Sequence, residues 1–427
     1  MDRVPPFITG AERVLRAKIF ISAFANAWAR GRRENRPAHR TAARWGLMAF
    51  AGLMAAAPLA AQANPILLVE AETGRVLEQK DAGKPWYPAS VTKLMTTYVA
   101  LHAVKSGRLT MDAPITVSQN AASQQPSKMG FKPGTKVTLE DALKMLMVKS
   151  ANDIAITVAE GVGGSEQGFV DEMNAVAQHL GMSGTHFANP NGLPNPQQVT
   201  TARDMAILVR ALIYHFPEYE GLFRIPAIKI GNRVMRNYNR LIDRYPGADG
   251  MKTGFICDSG FNLVATATRG NRRLIAVVFG AHSAKGRNED AALLLEKGFR
   301  SGPSLSFFST TLSSLPNEGG QPESMRAEVC GAKRKTVAAE NEDEQPGGKT
   351  LGGLLSFNDP GLPASGAELL QKLPPSMPPV QVSADTSGVA VKSTASKPSK
   401  KKTSSNTSSK PRAAAGGAPT PPSRPAI

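Results

Sequence analysis

Apolar and polar positions follow two different periods along this chain. Ile66-Leu67-Leu68-Val69 is a short β-rich run, Glu72-Thr73-Gly74 has turn chemistry, and Arg75-Val76-Leu77 follows, which predicts a hairpin. A stronger hairpin is predicted where the run from Phe261 to Thr268 passes through Gly270-Asn271 into the run from Leu274 to Phe279. Between the hairpins the period is helical. Val91, Leu94, Met95, Tyr98, Val99, Leu101 and Val104 form one broad apolar surface. Thr138 can cap a helix over Leu139 to Val148, with Asp141 at the reciprocal position, and Ile154 to Val158 resumes a helical pattern. Glu289 to Phe299 reads as a closing helix. Strands at both ends with helices between predict an α+β unit over residues 64–304. Its antiparallel sheet is built from both ends, and helices pack on it.

The flanks have a different texture. Arg40 and Arg44 precede the apolar run Gly46 to Ala57, and the small-residue site Ala61-Gln62-Ala63 follows. This is the layout of a secretory signal peptide, so residues 1–63 are expected to be removed by cleavage after Ala63, leaving an exported protein. The apolar run is short for a membrane span. The long charged leader over residues 1–38 suggests a later translation start. Residues 305–385 mix Pro, Gly and acidic residues and are expected to be of low order. Residues 386–427 are Ser, Thr, Lys, Pro and Ala, a composition that cannot bury enough surface to order itself.

Charge sharpens this division. The formal net charge is +17, but residues 1–45 and 381–427 each hold +7 of it, so the body is near neutral. A nucleic-acid-binding core would carry its basic patch on the folded surface, and that class is set aside. The cluster Lys400-Lys401-Lys402 could meet an anionic wall polymer or membrane surface, or simply be solvated. The two cysteines, Cys257 and Cys330, could pair in an exported protein or remain separate thiols. There is no H-E-x-x-H and no paired C-x-x-C, so the sequence calls for no metal or other cofactor.

Three short motifs carry the chemistry. Ser90-Val91-Thr92-Lys93 opens a helix, and residues three apart share a helical face, so the two heads can meet. Alone, Ser90 reads better as a helix cap and Lys93 as a solvated surface charge. The apolar surroundings of Lys93 favour burial, which lowers an amine's pKa and makes it a usable base. Ser150-Ala151-Asn152 lies at a junction between two helices, where side chains can enter a cleft or act as caps. Lys252-Thr253-Gly254 precedes the second hairpin. Gly250 and Gly254 let that strand pass close to another group, although an edge lysine also deters strand pairing. In this order the motifs form the equipment of a serine acyl-transferase that works without histidine.

The combination resembles the penicillin-binding protein and serine β-lactamase superfamily, and within it the low-molecular-mass D-alanyl-D-alanine carboxypeptidases. The resemblance runs over residues 65–300. It includes Tyr87 to Thr96, Phe187 to Leu193, Thr200 to Ala206, Asp249 to Gly254 and Gly260 to Ala265. It implies a penicillin-sensitive carboxypeptidase that removes the terminal D-alanine of peptidoglycan stem peptides. Ser90 would be the nucleophile and Lys93 its base. Ser150 would relay a proton to the leaving amine, and Asn152 would hold the substrate amide. Lys252 and Thr253, with Arg236, would position the terminal carboxylate. The backbone N–H groups of Ser90 and Phe255 would form the oxyanion hole beside Gly254.

The stretch Phe255-Ile256-Cys257-Asp258-Ser259 departs from the family's commoner polar version. The β-sandwich domain and terminal amphipathic helix of many members are not evident after residue 305, so membrane attachment does not carry over. A β-lactamase would need an activating glutamate, and no Glu-x-x-Leu-Asn occurs between Asn152 and Lys252. A D,D-endopeptidase using the same residues and a non-catalytic wall-binding protein of the same fold are the alternatives.

Overall fold

A computed structural model describes residues 64–302, 310–332, 339–340, 353 and 355–388. The expected signal peptide with its cleavage site, and the basic tail from residue 389 onward, lie outside the described residues.

The chain order is β1 (Ile66–Glu70), β2 (Val76–Lys80), α1 (Lys93–Lys105), β3 (Pro114–Thr116), α2 (Gln119–Ser123), β4 (Lys136–Thr138), α3 (Leu139–Lys149), α4 (Asn152–Gly163), α5 (Glu166–His179) and α6 (Ala202–His215). Then come β5 (Ala227–Ile230), β6 (Arg233–Arg236), β7 (Ala248–Ile256), β8 (Gly260–Arg269), β9 (Arg272–Ala281), α7 (Ala284–Arg300), α8 (Arg326–Val329) and β10 (Val380–Gln381). The main sheet runs β2-β1-β9-β8-β7. β1 pairs antiparallel with both β2 and β9, with Ile66 opposite Val278, so the two ends of the unit meet in one sheet as expected. β7 is an edge strand.

Both faces of this sheet are covered. Leu67, Val69, Val264, Val277 and Phe279 join the core under the helical layer. Ile66, Leu68, Leu263, Ala265, Leu274 and Ala276 pack instead with Ala291, Leu294 and Leu295 of α7. A strand buried on both faces has no polar face to show, which is why these segments read as continuous apolar runs. Truncating one such side chain, as in Leu67→Ala, costs about 2–5 kcal/mol because the cavity cannot fully close.

Three expectations are adjusted. β2 extends to Lys80, because Leu67 and Leu68 pair with Gln79 and Glu78 whatever the polarity of those partners. α7 starts at Ala284, five residues before the apolar pattern, because the Ser283 side chain accepts from Gly286 N and caps it. The third correction concerns residues 305–385, read as low order from composition. Within their described part, Leu312, Met325, Val329 and Val382 are buried in the main core. β10 adds a parallel strand to β5, and Cys330 is bonded to Cys257. A few well-spaced apolar anchors, strand pairing and a disulfide hold these described stretches, and average composition does not register them.

Candidate active site

Ser90 sits in a 3-10 turn, Ala89–Thr92, that feeds directly into α1. No side-chain cap bond is made at either helix start, so the capping role is not the one Ser90 performs. Lys93, at the first turn of α1, is fully buried. Its Nζ has three partners: Ser90 Oγ at 2.9 Å, Asn152 Oδ1 at 2.8 Å and the Asn191 carbonyl. The Asn152 amide is oriented by its Nδ2, which donates to the Gln125 carbonyl at 2.9 Å. The two amide oxygens can only accept. A neutral amine therefore satisfies both with its N–H groups and leaves its lone pair for the Ser90 O–H. Burial pushes the Lys93 amine well below the ordinary lysine value, and the charge of Lys252 pushes the same way, against Glu340 and Asp153. The neutral form is thus the one this pocket favours.

Ser150 closes α3 in a left-handed conformation, φ +58°, and Asn152 opens α4. The reversal between the helices turns both side chains to the cleft that Ser90 lines. Asp153, also buried, accepts from Met129 N at 3.0 Å and Gly130 N at 2.8 Å. Asn152 N donates to the Ser127 carbonyl at 2.7 Å. These bonds hold the loop around Ser127 as one wall.

β7 forms the opposite wall. A Cβ on Gly254 would lie 2.9 Å from Ser90 N and 3.0 Å from the Pro88 carbonyl, so only glycine allows the strand to pass here. Gly192, with φ +82°, is tighter still against the Ala89 carbonyl. Lys252 and Thr253 are each 1% exposed. Lys252 Nζ donates to the Thr253 carbonyl at 3.0 Å, and burial brings its pKa down to about 8. Thr253 Oγ1 is buried without a hydrogen-bond partner among the described residues. Phe255 lines the cleft and stacks on Phe261 at 4.3 Å. The cavity between the walls holds about 540 Å³.

Six of the seven side chains expected here, together with Gly254, converge on this cleft or the groups behind it. Arg236 does not. It lies exposed on β6, and Arg233 of the same strand lines the cleft instead. Residues three apart on a strand point to opposite faces, so the two arginines cannot share the role.

A family model for D-alanyl-D-alanine carboxypeptidase matches residues 53–283. The chain belongs to the D-alanyl-D-alanine carboxypeptidase family. The carboxypeptidase DacF of Bacillus subtilis (strain 168) is 36% identical over 245 residues, which is 56% of this chain and 63% of that protein. The chain therefore spans less than two thirds of that relative's length. Among solved structures, the carboxypeptidase DacD from Francisella tularensis has a TM-score of 0.54 at 31% identity, covering 64% of this chain and 75% of that one. Penicillin-binding protein D2 from Listeria monocytogenes, in its cefotaxime-bound form, has a TM-score of 0.51 at 31% identity, covering 56% of this chain and 97% of that one. The expected penicillin-binding-protein fold is thereby borne out.

This carboxypeptidase-family cleft also contains groups that the motifs did not reveal. Asn191 supplies the third partner of Lys93. Arg287, fully buried on α7, donates from Nη1 to the Gly254 carbonyl at 3.4 Å, behind the third motif. Glu340 lines the cleft and accepts from Arg287 Nη1 at 3.1 Å. A local signal for Arg287 was absent because it precedes the apolar stretch of its helix. Glu340 lies in a segment whose composition gave no reason to place it anywhere.

Proposed function

We propose that this chain is an exported serine carboxypeptidase that removes the terminal D-alanine from peptidoglycan stem peptides, and that β-lactams acylate the same serine. The contact that carries this reading is Ser90 Oγ to Lys93 Nζ, with the amine's other two partners restricted to accepting. As Ser90 Oγ attacks the carbonyl of the penultimate residue, its proton passes to Lys93. The carbonyl oxygen becomes an oxyanion facing the N–H groups of Ser90 and Phe255, usually a large term in acyl transfer. The C–N bond then breaks as the proton held by Lys93 passes through Ser150 to the leaving amine, which leaves Lys93 neutral again. Water attacks the acyl-enzyme, Lys93 accepts its proton, and that proton returns to Ser90 Oγ. Asn152 holds the substrate amide and also the Lys93 amine.

Lys252, Thr253 and Arg287 together suit a carboxylate at the end of the peptide: a cation and an unpartnered hydroxyl on the strand edge, and a second cation behind it on α7. Such a site favours a carboxypeptidase, which needs the free terminus, over an endopeptidase. Family membership and the cefotaxime-bound relative support the reading. The test is intact-mass spectrometry of the mature protein with a penicillin, then peptide mapping and D-alanine release from a peptide ending in D-Ala-D-Ala. One adduct on Ser90 with alanine release is expected. Folded protein that takes no adduct would overturn the mechanism.

A further inference from the structure

The described lining of the cleft contains three cationic side chains, Lys128, Lys149 and Arg233, and one carboxylate, Glu340. That carboxylate comes from beyond the catalytic body, and its side chain is only 16% exposed. It pairs with Arg287, whose side chain is 1% exposed. Its charge is also felt at Lys252 and Lys93, where it opposes the effect of burial. The chain thus brings its own carboxylate among the cations assigned above to the substrate's carboxylate.

The same segment is fastened beside the third motif. Ten residues before Glu340, Cys330 is bonded to Cys257, which lies three residues after Gly254. Around this bond, Ser324 Oγ donates to Asp258 at 2.6 Å, Arg326 Nε donates to Asp258 at 3.1 Å, and Met325 and Val329 are buried. The tether therefore springs from the rim of the cleft that Glu340 enters. Linking a weak ligand to its site by a short connection gives it an effective concentration in the millimolar range, enough to compete with free substrate.

We propose that Glu340 is an internal competitor for the carboxylate subsite, favoured at the cleft by the Cys257–Cys330 disulfide, so that this carboxylate from beyond the catalytic body restrains the chain's own active site. The proposal rests on the functional reading above. The competing species is a side-chain carboxylate; no bond forms or breaks in the contact, and only reduction of the disulfide, by an added thiol, releases the tether.

The test uses the full mature chain. The second-order rate of Ser90 acylation by a fluorescent penicillin and kcat/KM on a D-Ala-D-Ala peptide are compared for the wild type and Glu340→Gln. Apparent affinity scales with the fraction of open sites, so Glu340→Gln should raise both by about five-fold or more. Dithiothreitol, or Cys330→Ser, should move the wild type toward the Glu340→Gln rate and leave Glu340→Gln itself unchanged. In a Ser90→Ala background, equilibrium binding of the same peptide should tighten with Glu340→Gln by a similar factor. Acylation at equal or lower rates in Glu340→Gln, with unchanged peptide binding, overturns the competitor and leaves the enzyme reading standing. Absence of any Ser90 adduct in both forms overturns the enzyme reading, and the binding comparison then decides on Glu340 alone.

Discussion

The backbone of Gly254 passes so close to Ser90 that a Cβ built on it would stand 2.9 Å from the Ser90 amide nitrogen. The strand that presents Lys252 and Thr253 is therefore in van der Waals contact with the turn that presents the nucleophile. Gly254→Ala should push the two apart and disturb the donors for the oxyanion. A fall in the acylation rate of about 100-fold is expected, the size of losing one such donor. Circular dichroism should show the fold retained. Acylation within a few-fold of wild type would mean that the close approach has no catalytic purpose.

Lys93 can be separated from its charge. Lys93→Met keeps the length and apolar stem but removes the amine, and acylation should fall by about 100- to 10,000-fold, the range for loss of a general base. The variant also leaves Asn152 Oδ1 and the Asn191 carbonyl without their donor. Thermal unfolding should show a loss of about 1–3 kcal/mol for each buried acceptor left unpaired. Lys93→Arg should be equally inactive, because a guanidinium does not give up its proton.

The two lysines set opposite limbs of the pH profile. In the proposed mechanism Lys93 works as the neutral amine, and burial lowers its pKa, so kcat/KM should rise as pH climbs through a value well below that of an ordinary lysine. Lys252 works as the cation. Its pKa of about 8 means that the charge facing the carboxylate is lost above that pH, so kcat/KM should fall there. An alkaline limb near the ordinary lysine value would show that Lys252 is not the titrating group. Glu340 raises the Lys252 pKa, so Glu340→Gln should move this limb to lower pH.

The choice between arginines is also measurable. Arg287→Ala should raise KM for a D-Ala-D-Ala peptide by about ten-fold or more, since a charge-assisted bond is worth roughly 1.5–3 kcal/mol. Arg236→Ala, exposed on the outer side of β6, should leave KM within about two-fold. The reverse ranking would restore Arg236 as the carboxylate partner.

Much of this site was legible in the chain because its key contacts are local. Ser90 and Lys93 are three residues apart in a helical pattern, and helix geometry alone brings such heads together. The apolar residues around Lys93 announced its burial, and burial is what shifts its pKa. The glycine at position 254 marked a strand that must pass something closely. Both hairpins were visible because period and turn chemistry are properties of neighbouring residues. Arg236 lies on the face of β6 opposite Arg233, and only the packed strand shows which of the two faces the cleft.

Sequence by itself therefore determined the local arrangement: the Ser90–Lys93 pair proposed as nucleophile and base, the helix junction carrying Ser150 and Asn152, the cationic strand, and the α+β class. Tertiary structure alone decided which distant groups share the cleft. Arg287 reaches the Gly254 carbonyl across 33 residues, Lys93 holds the Asn191 carbonyl across 98, and Cys257 finds Cys330 across 73. Such pairings cost chain entropy that no local pattern encodes. They form only where the packed sheet and its helices have already brought the partners together.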